Sequence, residues 1–227
     1  MKQPDFKYRF IPSPSQQQKH DTDNSYQAFG SKENRSDTLT LLLLHGTGGN
    51  EDDLIQVGQM ISPSASLLSP RGKVLENGMP RFFKRLAEGV FDMEDLKFRT
   101  RELADFVKEA SSTHGFDLNK TIAVGFSNGA NIAASLILSY PEILMGAILF
   151  RAMVPFVPDF RPNLSDKKVL LSAGVFDPIV SESQIQSLFD ILKKSGANVT
   201  LKWQQSGHNL IQSDISDAKE WLSKNIH

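Results

Sequence analysis

The sequence predicts an α/β fold, a single domain built on a mostly parallel central sheet with helices on both faces. Three observations predict it. Short apolar, β-branched runs alternate regularly with longer segments of helical periodicity. One such run, Thr121-Ile122-Ala123-Val124, passes through Gly125-Phe126-Ser127-Asn128-Gly129 into a small-residue helix, the strand-turn-helix context of a G-x-S-x-G motif. Finally, 227 residues of which 40% are hydrophobic can bury one sizeable core without forcing a second domain.

Taken in order, residues 1–37 read as a polar leader with two candidate edge strands, at 7–11 and 26–29, and residues 38–227 as the α/β domain. Parallel strands are expected near 38–44, 66–69, 121–124, 146–150, 169–173 and 199–203. Helices fill the gaps. Leu103, Phe106, Val107 and Ala110 recur at i, i+3, i+4 and i+7, as do Ile185, Leu188, Phe189 and Leu192, so each set forms a core-facing stripe. The segment 130–140 is apolar nearly all round, as a buried helix should be, until Pro141 stops it. The stretch 71–93 is the least regular. It carries Met79, Phe82, Phe83, Phe91 and Met93 among charged neighbours, and reads either as a flap over a pocket, with Met79, Phe82 and Phe83 as candidate pocket residues, or as a surface turn tucked onto the core. No insertion is long enough for a cap domain.

The G-x-S-x-G nominates Ser127 as a nucleophile, because flanking glycines let strand and helix pass closely while the serine sits exposed on the turn. The bland alternative is a serine that merely caps the helix. A catalytic serine needs a base, an acid to orient the base, and donors for an oxyanion. Asp177 follows the strand-like run 169–174, and His208 follows the run 198–203, giving the order Ser, Asp, His. Asp177-Pro178 could instead open a turn. Of the five histidines, His208 alone comes after the acid and follows a strand. The apolar run Leu41-Leu42-Leu43-Leu44 enters His45-Gly46-Thr47-Gly48-Gly49-Asn50, a glycine-rich turn suited to an oxyanion loop. Its donors would be the backbone N–H groups of Thr47 and Asn128. A phosphate loop is the competing reading, but neither G-K-[ST] nor G-x-G-x-x-G is present.

Together these segments resemble the phospholipase/carboxylesterase group of serine α/β-hydrolases, small lidless esterases that include acyl-protein thioesterases and bacterial carboxylesterases. The resemblance covers about 38–227 and is carried by LLLLHGTGGNEDDL, ENGMPRFFKRLAEGVFD, GFSNGANIAAS, AGVFDPIV and SGH. The second segment resembles the bacterial carboxylesterase branch. The resemblance implies an α/β-hydrolase domain with the triad Ser127, Asp177 and His208, an oxyanion hole from Thr47 and Asn128, and hydrolysis of small carboxylic esters through an acyl-enzyme. It also implies no metal or organic cofactor, a small-molecule ester as partner, and a homodimer. The same triad would serve a thioesterase or lysophospholipase; a non-catalytic ligand-binding protein on this fold is the alternative of another class. Where the bacterial members of that group tend to run into a His-Pro pair before a following proline, this sequence reads Phe150-Arg151-Ala152-Met153-Val154-Pro155. Arg151 should lie at the carboxyl end of a strand, where ligands bind, and is a candidate for pairing an anionic substrate group. The alternative pairs it with an acid such as Asp159, or leaves it in solvent.

Composition narrows the classes further. The net charge of −1 offers no basic surplus for nucleic acid or an anionic membrane. Cysteine is absent, which excludes disulfides, a Cys nucleophile and Cys-ligated metal. The first residues lack an apolar h-region and no 18 consecutive residues are apolar, so neither secretion nor membrane spanning is expected, and the cytoplasm is the expected compartment.

Overall fold

The structure, a computed structural model, describes residues 6–15 and 38–226. The expected edge strand at 26–29 lies outside them. The other is present as β1 (Tyr8–Ile11). It is followed by β2 (Thr40–Leu44), α1 (Ile55–Ile61) and β3 (Ser66–Pro70), and then by two small ribbons, β4 (Val74–Glu76) with β5 (Met79–Arg81) and β6 (Arg85–Ala87) with β7 (Val90–Phe91). The remaining elements are α2 (Met93–His114), β8 (Thr121–Phe126), α3 (Asn128–Ser139), β9 (Gly146–Phe150), β10 (Lys168–Gly174), α4 (Glu182–Lys194), β11 (Asn198–Gln204) and α5 (Gln212–Asn225).

Among the described residues the main sheet has the order β1-β3-β2-β8-β9-β10-β11. All its pairs are parallel except β1 with β3, where Tyr8 faces Pro70 at the edge. The four leucines of β2 show how the sheet divides the core. Leu42 and Leu44 join one apolar cluster with α2, α3 and α4; Leu41 and Leu43 join another with α1 and α5. All four are fully buried, which the two-residue period of a strand covered on both faces requires.

Local signals set the helix ends. Asp92 caps α2 by accepting the Asp95 N–H at 3.0 Å, and Gly115 closes it at φ +70°, a left-handed conformation that favours glycine. Every residue of α3 from Asn128 to Leu138 is buried, as its sequence predicts. No helix among the described residues is long and apolar enough to cross a membrane.

The chain leaves β2 outward to β3 and returns to the other side of β2 as β8, so the order of strands reverses between β2 and β8. In open α/β sheets the crevice beyond the carboxyl ends at such a switch is where ligands bind. Register places Leu44 opposite Gly125, so the loop from His45 and the turn at Ser127 emerge side by side.

Candidate active site

Ser127 sits at φ +52° and ψ −114°, a backbone region that costs a non-glycine residue about 1–3 kcal/mol. The turn is held by the Ser127 N–H donating to Phe150 O and the Asn131 N–H donating to Ser127 O, both at 2.9 Å. Its glycines are steric necessities. A Cβ on Gly129 would stand 1.9 Å from Leu44 O, and one on Gly125 would stand 2.5 Å from Gly129 O. Helix α3 therefore starts hard against the end of β2, with the serine at its mouth.

His208 lies in the loop after β11 and Asp177 in the loop after β10. His208 Nε2 is 2.7 Å from Ser127 Oγ, and its Nδ1 is 2.7 Å from Asp177 Oδ2. The Asp177 side chain is 1% exposed, and its Oδ1 accepts the Ile179 and Val180 N–H groups at 2.8 and 3.0 Å. Those two bonds fix the carboxylate so that Oδ2 faces the imidazole. An ionised Asp177 accepts, so Nδ1 carries the proton and Nε2 is free to accept from Ser127. Three side chains from three strand ends thus form one continuous hydrogen-bonded chain.

On the far side of Ser127, Asn128 is the first residue of α3, so its N–H has no acceptor within the helix and points with the positive end of the helix dipole. The loop after β2 brings Thr47 to the same cleft. That loop is tied down throughout. The Gly48 N–H donates to Pro80 O at 2.9 Å, and Thr47 Oγ1 accepts from Arg81 Nη1 at 2.8 Å. His45 Nδ1 donates to Gly46 O at 2.6 Å while its Nε2 accepts the Gly72 N–H at 2.9 Å, which defines one neutral tautomer. Burial lowers the pKa of His45, in keeping with that neutral role. Glu51 anchors the loop's far end against Arg71 and Lys7. Burial alone would raise its pKa, but its own backbone N–H, Arg71 and Lys7 together bring it down to about 2.

The cleft has a volume of about 350 Å³, with Thr47, Ser127, Asn128 and His208 at its floor and Arg81, Arg85 and Phe91 in its wall. The stretch 71–93 therefore does border the cleft, but through other residues than expected. Phe82 and Phe83 are 2% and 0% exposed and belong to the core, Phe83 meeting Phe91 edge-on at 5.0 Å. Met79 is on the β4–β5 ribbon beside Gly48 and does not line the cleft. The reason is the strand geometry of the ribbon: the buried position of β5 falls on Arg81, and the chain then turns its two phenylalanines under the sheet edge.

Arg151 is also corrected. It does follow β9, but at φ +56°, which swings its side chain beneath the His208 loop and away from the cleft. Fully buried, it pairs with Asp214 of α5, not Asp159, through Nη1 and Nη2 at 2.9 and 2.8 Å. Its Nε donates to Gly207 O at 3.0 Å, and Nη2 donates to Ser206 Oγ and Asn209 O at 2.8 Å. Ser172 O and Oγ accept from Nη1. Every nitrogen is engaged, and the acceptors bracket His208. Arg81 and Arg85, in contrast, are cleft residues that sequence reasoning passed over. Their signal in the sequence is their place in the irregular stretch, where an arginine beside apolar neighbours reads as surface until the fold turns it inward.

Among the described residues no group of three or more His, Cys, Asp or Glu side chains is placed to hold a metal ion.

The model of the phospholipase/carboxylesterase family matches residues 26–226. MhqD of Bacillus subtilis (strain 168), named as a hydrolase, is 52% identical over 186 residues, which cover 82% of this chain and 93% of that protein. Among solved structures, the carboxylesterase of Bacillus cereus is 44% identical with a TM-score of 0.86, covering 97% of this chain and 95% of its own. YahD, solved with malic acid, is 32% identical with a TM-score of 0.84, covering 97% of this chain and 100% of its own. The chain is a member of the phospholipase/carboxylesterase family of α/β-hydrolases.

Proposed function

We propose that the protein is a serine carboxylesterase in which Ser127 is the nucleophile, His208 the general base and acid, and Asp177 the residue that orients His208. The observation that carries this reading is the unbroken chain Asp177–His208–Ser127, at 2.7 Å in both links, on a strained strand-to-helix turn. His208 Nε2 takes the hydroxyl proton as Ser127 Oγ bonds to the ester carbonyl carbon. The carbonyl electron pair moves onto its oxygen, which accepts hydrogen bonds from the Asn128 and Thr47 N–H groups. Collapse of this intermediate breaks the bond to the alcohol oxygen, which leaves with the proton from His208. Water, losing a proton to His208, then attacks the acyl-enzyme, and as the bond to Ser127 Oγ breaks His208 returns that proton to it and the acid leaves.

A relative solved with malic acid supports derivatives of small carboxylic acids as the first substrates to try. The test is labelling with a fluorophosphonate, followed by mass spectrometry of the peptides, alongside hydrolysis of p-nitrophenyl butyrate. A single adduct on Ser127 and loss of turnover on labelling are expected. An unlabelled protein, an adduct elsewhere, or full activity in folded Ser127→Ala protein would overturn the assignment, the first also favouring a non-catalytic binding protein.

A further inference from the structure

The wall of the cleft contains two guanidinium groups, those of Arg81 and Arg85, and Glu76 contacts both from behind the lining. Arg81 has a side chain only 4% exposed, with Nε donating to Phe83 O at 3.3 Å and Nη1 donating to Thr47 Oγ1. Its Nη2 has no acceptor among the described residues. Arg85 donates from Nε to Glu76 Oε1 at 2.9 Å, and neither of its amino groups has an acceptor among the described residues. Glu76 Oε2 is 3.0 Å from Arg81 Nη1 but lacks the alignment of a hydrogen bond, so the ion pair leaves both heads incompletely satisfied. The Arg85 hydrogen bond, foremost, holds the Glu76 carboxyl below the usual carboxylate range, so it is charged. Two cations against one anion leave a surplus positive charge. Glu88 also borders the cleft, but it is exposed on the β6–β7 turn, where water screens it. On the floor, Asn128 Oδ1 accepts the Phe82 N–H at 2.7 Å while its buried Nδ2 has no acceptor among the described residues.

Arg81 is held almost entirely inside the protein, yet its Nη2 is left open at the cleft, where a substrate group can replace water as the acceptor. A strut for the Thr47 loop would need only Nε and Nη1. Nη2 adjoins Nη1, which is bonded to Thr47, so an acceptor there lies a few bonds from the position of the reacting carbonyl. We infer that Arg81, flanked by Arg85, binds a carboxylate of the substrate, so that the preferred ester is an acidic one carrying a free carboxylate a few bonds from the scissile carbonyl. This rests on Ser127 as the reacting residue. The carboxylate can belong to the acyl part, as in a half-ester of a dicarboxylic acid, or to the alcohol part, as in an ester of a hydroxy acid.

The test measures kcat/KM for matched pairs by titrating released acid: monomethyl succinate against methyl pentanoate for the acyl arm, and O-acetylglycolate against propyl acetate for the alcohol arm. The wild-type protein should prefer the acidic member in at least one arm. Arg81→Met should lower that acid-to-neutral ratio about 10- to 100-fold, the worth of one charge-assisted hydrogen bond, with the differential expressed in KM. Arg81→Lys should restore part of it, and Arg85→Met should lower it less. Equal losses on both members would make Arg81 a strut for Thr47, and no wild-type preference in either arm would overturn the inference. Fluorophosphonate labelling of each variant reports Ser127 separately. Calorimetric binding of succinate and glycolate to Ser127→Ala protein tests the site without turnover. Weaker binding after adding Arg81→Met supports the inference, and unchanged or undetectable binding of both acids opposes it.

Discussion

Arg81 and Arg151 are both almost completely buried at the carboxyl edge of the sheet, yet their surroundings differ in kind. All three nitrogens of Arg151 are bonded, with a buried carboxylate facing it two-pronged and carbonyls on either side of His208. Arg81 borders the cleft with one amino group unused and a misaligned ion pair. Burial is therefore a poor guide to which of the two meets a ligand. What separates them is hydrogen-bond saturation: a saturated cation is part of the scaffold, and an unsaturated one beside a cleft is available. Glu51 is the acidic counterpart of Arg151, buried and partnered, and it stabilises the loop that carries Thr47.

The largest expected effect concerns the premise that both arginines serve one reacting centre. Ser127→Ala and His208→Ala should each lower kcat on p-nitrophenyl butyrate by about 10⁴- to 10⁶-fold, with Asp177→Asn somewhat less, because such residues act as a unit. Steady-state kinetics on folded variants, checked by circular dichroism, decide it.

Next comes Arg151. Arg151→Met leaves Asp214 buried without its partner and should cost about 3–5 kcal/mol of unfolding free energy in a urea titration. Whatever activity remains should fall equally on acidic and neutral esters, since the loss acts through the His208 loop. A discriminating loss would erase the contrast with Arg81.

Glu51 supplies a pH-dependent version of the same effect. Its folded pKa of about 2 lies below the ordinary 4.5, so its stabilising contribution is complete above pH 4.5 and is lost as pH falls from there towards 2. At pH 7 that difference corresponds to about 3 kcal/mol. Glu51→Gln should be less stable than wild type by this order at pH 7, with the gap closing steadily below pH 4.5. A gap independent of pH would mean that the ionised carboxylate contributes nothing.

The smallest change in stability is expected for Arg81→Met, about 1–2 kcal/mol for the hydrogen bonds to Thr47 and Phe83. Its signature should be the shift in ester preference. A destabilisation as large as that of Arg151→Met, without such a shift, would collapse the distinction between the two arginines.

Much of this organisation is legible in the chain. The six expected parallel strands all appear, with ends moved by one or two residues, because runs such as Leu41-Leu42-Leu43-Leu44 are buried on both faces and need no partner to declare themselves. Ser127, Asp177 and His208 could be nominated because each lies within four residues of the end of one of these strands, and parallel strands end on the same edge. The ribbons within 71–93 were not legible. Two- and three-residue strands are too short to show a period, and the β4–β5 ribbon is held by distant contacts, the Gly72 backbone packing against Arg81 and the Gly48 N–H meeting Pro80 O.

The sequence by itself determined the α/β order of elements and the sites where chemistry could be placed, since apolar periodicity, Gly125 and Gly129 act over a few neighbouring residues. Tertiary structure alone decided which side chains face the cleft. Arg151 turns under the His208 loop because Asp214, 63 residues away, waits there. Phe82 and Phe83 leave the wall to Arg81 because the core takes large apolar surface first. Side-chain direction at a strand end depends on what lies opposite, and that neighbour is distant in sequence.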